Sequence, residues 1–243
     1  CVQCFVDGNE TDTDKIPMSL NYGEEYTVSV NVGADMVRGF VNGEQIFQLG
    51  GEAPATTFAG AAGFGHWSTE AYVDNLKVVS FTDGSVLYEN TFDDASSLDD
   101  LKHDLATYSG GTYTGDPAVF EWEDGTLHQT DSSSTGVISY FGDTTWRNYI
   151  YSMDVMPVAG AEGATILGAI NLDTPSYVLY NCGGWSNTKG CWQTFNAGTT
   201  DAYNDDGLDK SLAYDEWHTL QLVVLDYAIF SYIDGQFCQA WWN

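Results

Sequence analysis

The chain has 243 residues, 43 % of them hydrophobic and 14 % aromatic, enough to bury the core of one large all-β domain or two smaller ones. Its 7 basic residues against 35 acidic ones leave a formal charge of −28, a field that repels phosphate backbones and anionic lipid surfaces. Nucleic acid is therefore excluded as an expected partner. No apolar run nears the roughly 20 residues that cross a bilayer, so membrane insertion is excluded too, while divalent cations and neutral polymers remain.

The opening Cys1-Val2-Gln3-Cys4-Phe5 lacks the basic and then apolar layout of a signal peptide. Its C-x-x-C pair has no second pair to complete a metal site, so a disulfide is expected there, with Cys238 as a candidate partner. An extracellular address fits this composition. Residues 7 to 15 read as an acidic, solvated loop. Asp7, Asn9, Asp12 and Asp14 offer oxygens to Ca²⁺, but without EF-hand spacing. Tyr26, Val28, Val30 and Val32 alternate with polar neighbours, which predicts a half-buried strand. Asn42-Gly43 then reverses Gly39-Phe40-Val41 into Gln45-Ile46-Phe47, since both residue types tolerate the positive φ that a tight hairpin turn demands.

Strands are predicted at Gly63 to Trp67 and Ala71 to Val79, and Asp83-Gly84 turns the chain into another at Val86 to Phe92. Asp93, Asp94, Asp99 and Asp100 mark a loop, with a helical turn near residues 95 to 102. Residues 102 to 118 read as an irregular connection. Strand signals resume at residues 119 to 123, 126 to 130, 136 to 141, 148 to 156 and 164 to 170, a spacing typical of a sandwich. A further alternating strand, Tyr177 to Asn181, enters a loop whose paired Gly183 and Gly184 permit positive φ or close backbone approach, and a short run from Cys191 to Phe195 leaves it. Cys182 and Cys191 flank this loop and would staple the hairpin if their Cα atoms lay within about 7 Å. The stretch from Asn204 to Asp209 reads as a second acidic loop. No segment sustains a long apolar period of 3.6, so the fold is all-β.

The loop after Tyr177 to Asn181 carries the clearest functional signal. An indole face with amides beside it suits a sugar ring, whose C–H face stacks on aromatics while its hydroxyls seek donors and acceptors. Tyr180, Asn181, Trp185, Asn187, Trp192 and Gln193 are the candidate carbohydrate-binding residues, the alternative being that Trp185 and Trp192 simply pack inward. Trp67, Trp146 and Trp217 are expected in the core. Catalysis by a sandwich glycosidase needs two carboxylates on one strand face. Glu121 and Glu123 have that spacing but no third acidic residue in phase, so a solvated strand edge is expected. His66, His103, His128 and His218 show no metal-ligand spacing.

An internal repeat bears on domain organisation. Val28, Val30 and Val32 followed by Val41-Asn42-Gly43 recur as Leu220, Leu222 and Val224 followed by Ile233-Asp234-Gly235, 192 residues on. A period of that size is a whole domain. Residues 1–81 then read as closing strands of one sandwich and 82–243 as the main body of a second. The first piece either completes the second within one globular unit, which is the expectation here, or belongs to a neighbouring copy.

Trp146-Arg147-Asn148-Tyr149, Gly160-Ala161-Glu162-Gly163, Gly183-Gly184-Trp185-Ser186-Asn187-Thr188, Trp217-His218-Thr219 and Asp234-Gly235 together resemble a known family. It is the laminin-G-like, concanavalin A-like β-sandwich attached to family 51 α-L-arabinofuranosidases and related bacterial glycoside hydrolases. Gly63 to Trp67 and Val73 to Val78 look like closing strands of the same kind. The resemblance implies a jelly-roll of two antiparallel sheets that binds polysaccharide or supports an enzyme, without the catalytic barrel. It also implies a structural Ca²⁺ bridging first and last strands, for which Asp74, Glu89 and Asp93 offer oxygens. Two alternatives stand beside a non-catalytic carbohydrate-binding module: a structural or adhesive repeat that joins other copies head to tail by strand exchange, and a glycoside hydrolase.

Overall fold

The structure, a computed structural model, describes residues 2–6, 9–14, 20–32, 36–50, 58–103, 105, 119–133, 135–173, 176–196, 199–203, 208–226 and 228–242. Strands dominate. The first half of the chain gives β1 (Val2–Val6), β2 (Asn9–Asp14), β3 (Val28–Val32), β4 (Met36–Val41), β5 (Glu44–Gly50), β6 (Ala61–Trp67), β7 (Thr69–Ser80) and β8 (Val86–Asn90). The second half gives β9 (Phe120–Glu123), β10 (Thr126–Gln129), β11 (Thr135–Phe141), β12 (Tyr149–Gly160), β13 (Ala164–Asn171), β14 (Ser176–Gly183) and β15 (Lys189–Asn196). It ends with β16 (Thr199–Tyr203), β17 (Leu208–Asp209), β18 (His218–Leu225), β19 (Ala228–Ile233) and β20 (Gln236–Trp242). Tight turns sit where the sequence supplies two positive-φ residues, at Asn42-Gly43 (49° and 78°), Asp124-Gly125 (48° and 84°) and Asp234-Gly235 (52° and 73°).

Two antiparallel sheets form a β-sandwich. The eight-stranded sheet runs β20-β19-β18-β12-β7-β10-β9, with β8 also on β7, and the seven-stranded sheet runs β11-β6-β13-β14-β15-β16, with β17 on β15. β1 pairs with β2, and β3-β4-β5 make a separate three-stranded meander. β6 and β7 hold central places: β6 lies between β11 and β13, and β7 between β12 and the pair β10 and β8. β7 can serve two neighbours on one side because it bulges against β12 near Asn75, whose φ is 52°.

Inward side chains of the two sheets interdigitate. Val73, Val78, Tyr151, Met153, Leu220 and Leu222 meet Phe64, Ile166, Val178, Tyr180 and Trp192 in the main core. The alternate residues of β14, Tyr177 and Leu179, join Leu167, Tyr140 and Phe195 in a second cluster on the other face of the seven-stranded sheet. β14 is thus apolar on both faces, not half-solvated as its alternation suggests. Among the described residues no helix is long and apolar enough to cross a membrane.

Tyr149 ties the two sheets at the middle of this core. Its hydroxyl accepts the Ala169 N–H at 3.0 Å and donates to the Ala61 carbonyl at 3.3 Å. Ala169 stands at φ 54°, in a bulge of β13, so its N–H has left the ladder and depends on this contact. Tyr149→Phe is expected to cost about 1–3 kcal/mol in urea denaturation, because it orphans a buried donor; a cost within a few tenths would show that the N–H finds another acceptor.

Three expectations are corrected, and the helical turn expected near residues 95 to 102 is found. Residues 9–14 are extended and pair with β1, so the acidic stretch is not a loop along that length; residues 7, 8 and 15 lie outside the described residues. Residues 95–100 form a 3-10 turn, capped by Asp94, which accepts the Ser96 N–H at 2.9 Å. Leu208 and Asp209 pair with β15 in place of lying in an acidic loop, and residues 204–207 lie outside the described set, as do residues 106–118. Trp217 is exposed, whereas Trp146 packs against the core as expected.

Candidate functional site

The β14–β15 connection is a left-handed turn. Gly183 has φ 79°, as a turn glycine should, and Gly184 allows close approach: a Cβ there would lie 2.6 Å from Asn181 Nδ2. The positive φ then continues through three residues with side chains, Trp185 (52°), Ser186 (62°) and Asn187 (55°). Each such residue costs about 1–2 kcal/mol, so the turn persists only because its surroundings hold it. Asn187 makes a two-point amide clamp, donating through Nδ2 to the Leu212 carbonyl at 2.7 Å and accepting the Leu212 N–H through Oδ1 at 2.9 Å. Thr188 Oγ1 donates to the Trp185 carbonyl at 2.7 Å, and Gly163 N–H donates to the Gly183 carbonyl at 2.8 Å.

The turn presents Trp185 with 39 % of its surface exposed. Beside it lies Glu162, in the loop between β12 and β13. Partial burial pushes its carboxyl above the usual range, and hydrogen bonds from the Trp185 N–H and the Asn181 side chain pull it back in part. Tyr214, 36 % exposed, completes the group by donating its hydroxyl to the Gly160 and Glu162 carbonyls, each at 3.2 Å. An open indole, an open phenol ring and a half-buried carboxylate therefore meet at one end of the sandwich, on loops braced by the two sheets. That combination can stack a sugar ring and accept bonds from its hydroxyls.

Of the six residues expected to bind sugar, only Trp185 has the exposure the role needs. Tyr180 and Trp192 are fully buried in the main core, ring centroids 4.8 Å apart, and are not available to a ligand. Asn181 is buried against Glu162 and Asn187 is committed to Leu212, so both brace the turn. Gln193 is half-buried on the seven-stranded sheet, paired in register with Leu179 and Tyr203. The pleat explains the misreading: an apolar strand buried on both faces looks, in sequence, like one with an open side. Glu162 and Tyr214 were not singled out. The only signal for Glu162 is its place in the Gly160-Ala161-Glu162-Gly163 turn, and Tyr214 has none beyond its closeness to Trp217.

The expected disulfide is corrected as well. Cys182 and Cys191 are buried and not bonded to each other, and Cys238 is buried as well. Cys182 stands opposite Gly190 and Asn181 opposite Cys191, so by alternation the two thiols face opposite sides of the sheet. Cys1 lies outside the described residues.

The oxygens named for Ca²⁺ do not make a set. Glu89 is engaged by Lys77, Oε1 to Nζ 2.7 Å. The Asp74 carboxyl is pushed upward, first by burial and then by the neighbouring Asp154 and Asp93 charges, while the Asn75 N–H bonds it at 2.7 Å. Asp154 is itself occupied by Asn75 and Thr219. Among the described residues no three His, Cys, Asp or Glu side chains are grouped so as to hold a metal ion. Among the described residues Asp74, Glu89 and Asp93 are thus each engaged by protein partners.

Glu121 and Glu123 lie on the edge strand β9, both exposed. Glu123 Oε2 is held by His128 Nδ1 at 2.7 Å and Tyr72 Oη at 3.2 Å, and His128 Nε2 reaches Glu70 at 3.1 Å. The pair lies on the exposed edge of the eight-stranded sheet.

The chain matches no family model. It is similar to an extracellular exo-alpha-L-arabinofuranosidase of Streptomyces chartreusis, 27 % identical over 179 residues, which is 73 % of this chain and 19 % of that protein. The chain thus corresponds to less than a fifth of that relative's length.

Proposed function

We propose that this sandwich is a non-catalytic carbohydrate-recognition module of an extracellular glycan-degrading protein. The observation that carries the reading is Trp185, an exposed indole on a strained turn that the Asn187 clamp and the Glu162 carboxylate hold in place. Strain maintained by such bracing is typical of sites whose geometry must be ready before the ligand arrives. Tyr214 offers a second ring, and Glu162 an acceptor for sugar hydroxyls. Similarity to part of an extracellular exo-alpha-L-arabinofuranosidase supports a glycan context and a secreted parent. The acidic field is neutral toward uncharged polysaccharide and unfavourable for anionic partners.

The test is affinity electrophoresis through gels containing arabinan, arabinoxylan or β-glucan. At least one polymer is expected to retard the wild-type chain, and Trp185→Ala to weaken that binding at least tenfold, with Tyr214→Ala weakening it less. Retardation unchanged by Trp185→Ala would remove this site, and no retardation by any of the polymers would remove the function.

A further inference from the structure

The segment that carries Tyr214 is fixed residue by residue. Asn187 holds Leu212 by both its N–H and its carbonyl, the Ala213 N–H donates to His218 Nε2 at 3.0 Å, and the Asp215 N–H donates to the Pro157 carbonyl at 2.8 Å. Tyr214 itself rests its hydroxyl on the Gly160 and Glu162 carbonyls. Ala213, Tyr214 and Asp215 are all exposed, so these contacts shape a surface and fill no core.

His218 is set in turn by Asp234, whose Oδ2 lies 2.9 Å from Nδ1. A carboxylate only accepts, so the neutral ring carries its proton on Nδ1 and keeps the Nε2 lone pair for Ala213. Asp234 is anchored as well: its Oδ1 accepts the Thr219 N–H at 2.9 Å, and its own N–H donates to the Thr219 carbonyl at 2.8 Å. A line of bonds thus runs from the β19–β20 turn, through the imidazole, to the residue before Tyr214.

The same loop occurs 192 residues earlier, from Leu20 to Val28, with Tyr26 at the place of His218 and Asn42 at that of Asp234. There the Asn21 N–H donates to the Tyr26 hydroxyl at 3.1 Å, and the Thr27 N–H to Asn42 Oδ1 at 2.9 Å. Gly23 and Asp215, at matching places, both have positive φ, 86° and 61°. An acceptor for the one N–H is kept although the side chain that supplies it changes. In the later loop alone, that acceptor depends on which ring nitrogen holds the proton, and so on the carboxylate behind it.

We propose that His218 and Asp234 are positioning residues of the carbohydrate site. Asp234 fixes the imidazole tautomer, and the imidazole holds Ala213 so that Tyr214 keeps its stance beside Trp185. These roles rest on the carbohydrate reading of the site. Both residues act through the 212–215 backbone, which also takes the Asn187 clamp from the Trp185 turn. Asp234→Asn keeps the turn, as Asn42 shows, but turns an amide donor toward Nδ1. The ring proton then moves through solvent to Nε2, which faces the Ala213 carbonyl, 3.3 Å away, in place of the N–H.

The experiment compares the wild-type chain, Asp234→Asn and the double variant His218→Tyr, Asp234→Asn, which reproduces the pair of the earlier loop. In Asp234→Asn, nitrogen NMR of the imidazole is expected to show the proton moved to Nε2, with a melting temperature within about 3 °C of wild type. Its affinity for the polymer that retards the wild-type chain is expected to fall about fivefold, the worth of one net hydrogen bond. The double variant, whose phenol again accepts the Ala213 N–H, is expected to recover to within about twofold. An unmoved proton, unchanged affinity in Asp234→Asn, a folded double variant that stays as weak as Asp234→Asn, or a loss that tracks a falling melting temperature overturns the proposal. Should the double variant not fold, amide exchange decides: faster exchange at Ala213 with shifted Tyr214 ring signals in Asp234→Asn supports positioning, and unchanged signals overturn it. No retardation of the wild-type chain by any polymer is a different result, which removes the carbohydrate reading and these roles with it.

Discussion

Trp192→Ala is expected to lower stability by about 3–5 kcal/mol, whereas Trp185→Ala changes it by no more than about 0.5 kcal/mol. The two indoles lie seven residues apart, one in the turn and the other on the strand that leaves it, yet they do different work. Trp192 is fully buried, paired in register with Tyr180, and fills space between the sheets. Its removal forfeits a large apolar area and leaves a cavity that a close-packed sandwich cannot collapse. Trp185 keeps much of its surface in water, so its loss touches binding and not the core. Urea denaturation followed by circular dichroism separates the two. Trp192→Phe adds a control: among the described residues Trp192 Nε1 has no hydrogen-bond partner, so phenylalanine removes a buried unpaired donor and should be better tolerated than alanine. A Trp185→Ala cost as large as that of Trp192→Ala would place both indoles in the core and end the case for the loop site.

The second large effect is acid sensitivity through His66. This histidine is 2 % exposed, on the interior strand β6, with Phe64 and Phe120 rings 6.2 and 6.5 Å away and, among the described residues, no partner for either ring nitrogen. Burial alone lowers its pKa to about 4 from 6.5. Between those values the unfolded chain binds a proton that the folded chain refuses, so stability falls as pH falls through that window. The full loss is about 3 kcal/mol, at roughly 1.4 kcal/mol per pKa unit. Above pH 6.5 both states are neutral and the effect vanishes. His66→Leu is expected to flatten the unfolding midpoint between pH 6.5 and 4. Below pH 4 the decline continues, because Asp83, Asp94 and Asp143, held under the usual carboxylate range by bonds from Ser85, Ser96 and Thr145, then take up protons. Glu162 and Asp74 act in the opposite sense: burial raises both, so protonating them favours the folded state. An unchanged slope in His66→Leu would show that water reaches the imidazole.

The positions of strands and turns were legible because they depend on local chemistry. Asn42-Gly43, Asp124-Gly125 and Asp234-Gly235 reverse the chain wherever they occur, since few other pairs accept positive φ twice running. Alternation located β3, β12 and β18 for the same reason, and the repeat between residues 28 and 220 followed from counting. The candidate site was legible only in part. Paired glycines marked a special turn, and one of its neighbours, Trp185, is indeed open to solvent. Which face of β14 and β15 meets the core is a matter of register, and a shift of one residue exchanges the faces. That is why Tyr180 and Trp192 were assigned to a ligand, and why Cys182 and Cys191 were brought together when the sheet holds them apart.

By itself the sequence determined that this protein is built of antiparallel strands joined by tight turns, that one meander occurs twice, and that its formal charge is −28. Only the tertiary structure decided that residues 61–80 supply interior strands to both sheets, that Glu162 and Tyr214 stand beside Trp185, and that Leu220 and Leu222 are buried while Val28 and Val30 are exposed. The division has a physical cause. Turn and strand preferences are settled by neighbours a few residues away, whereas burial is settled by whatever is packed above, and for β3 and β18 matching apolar positions meet different surroundings.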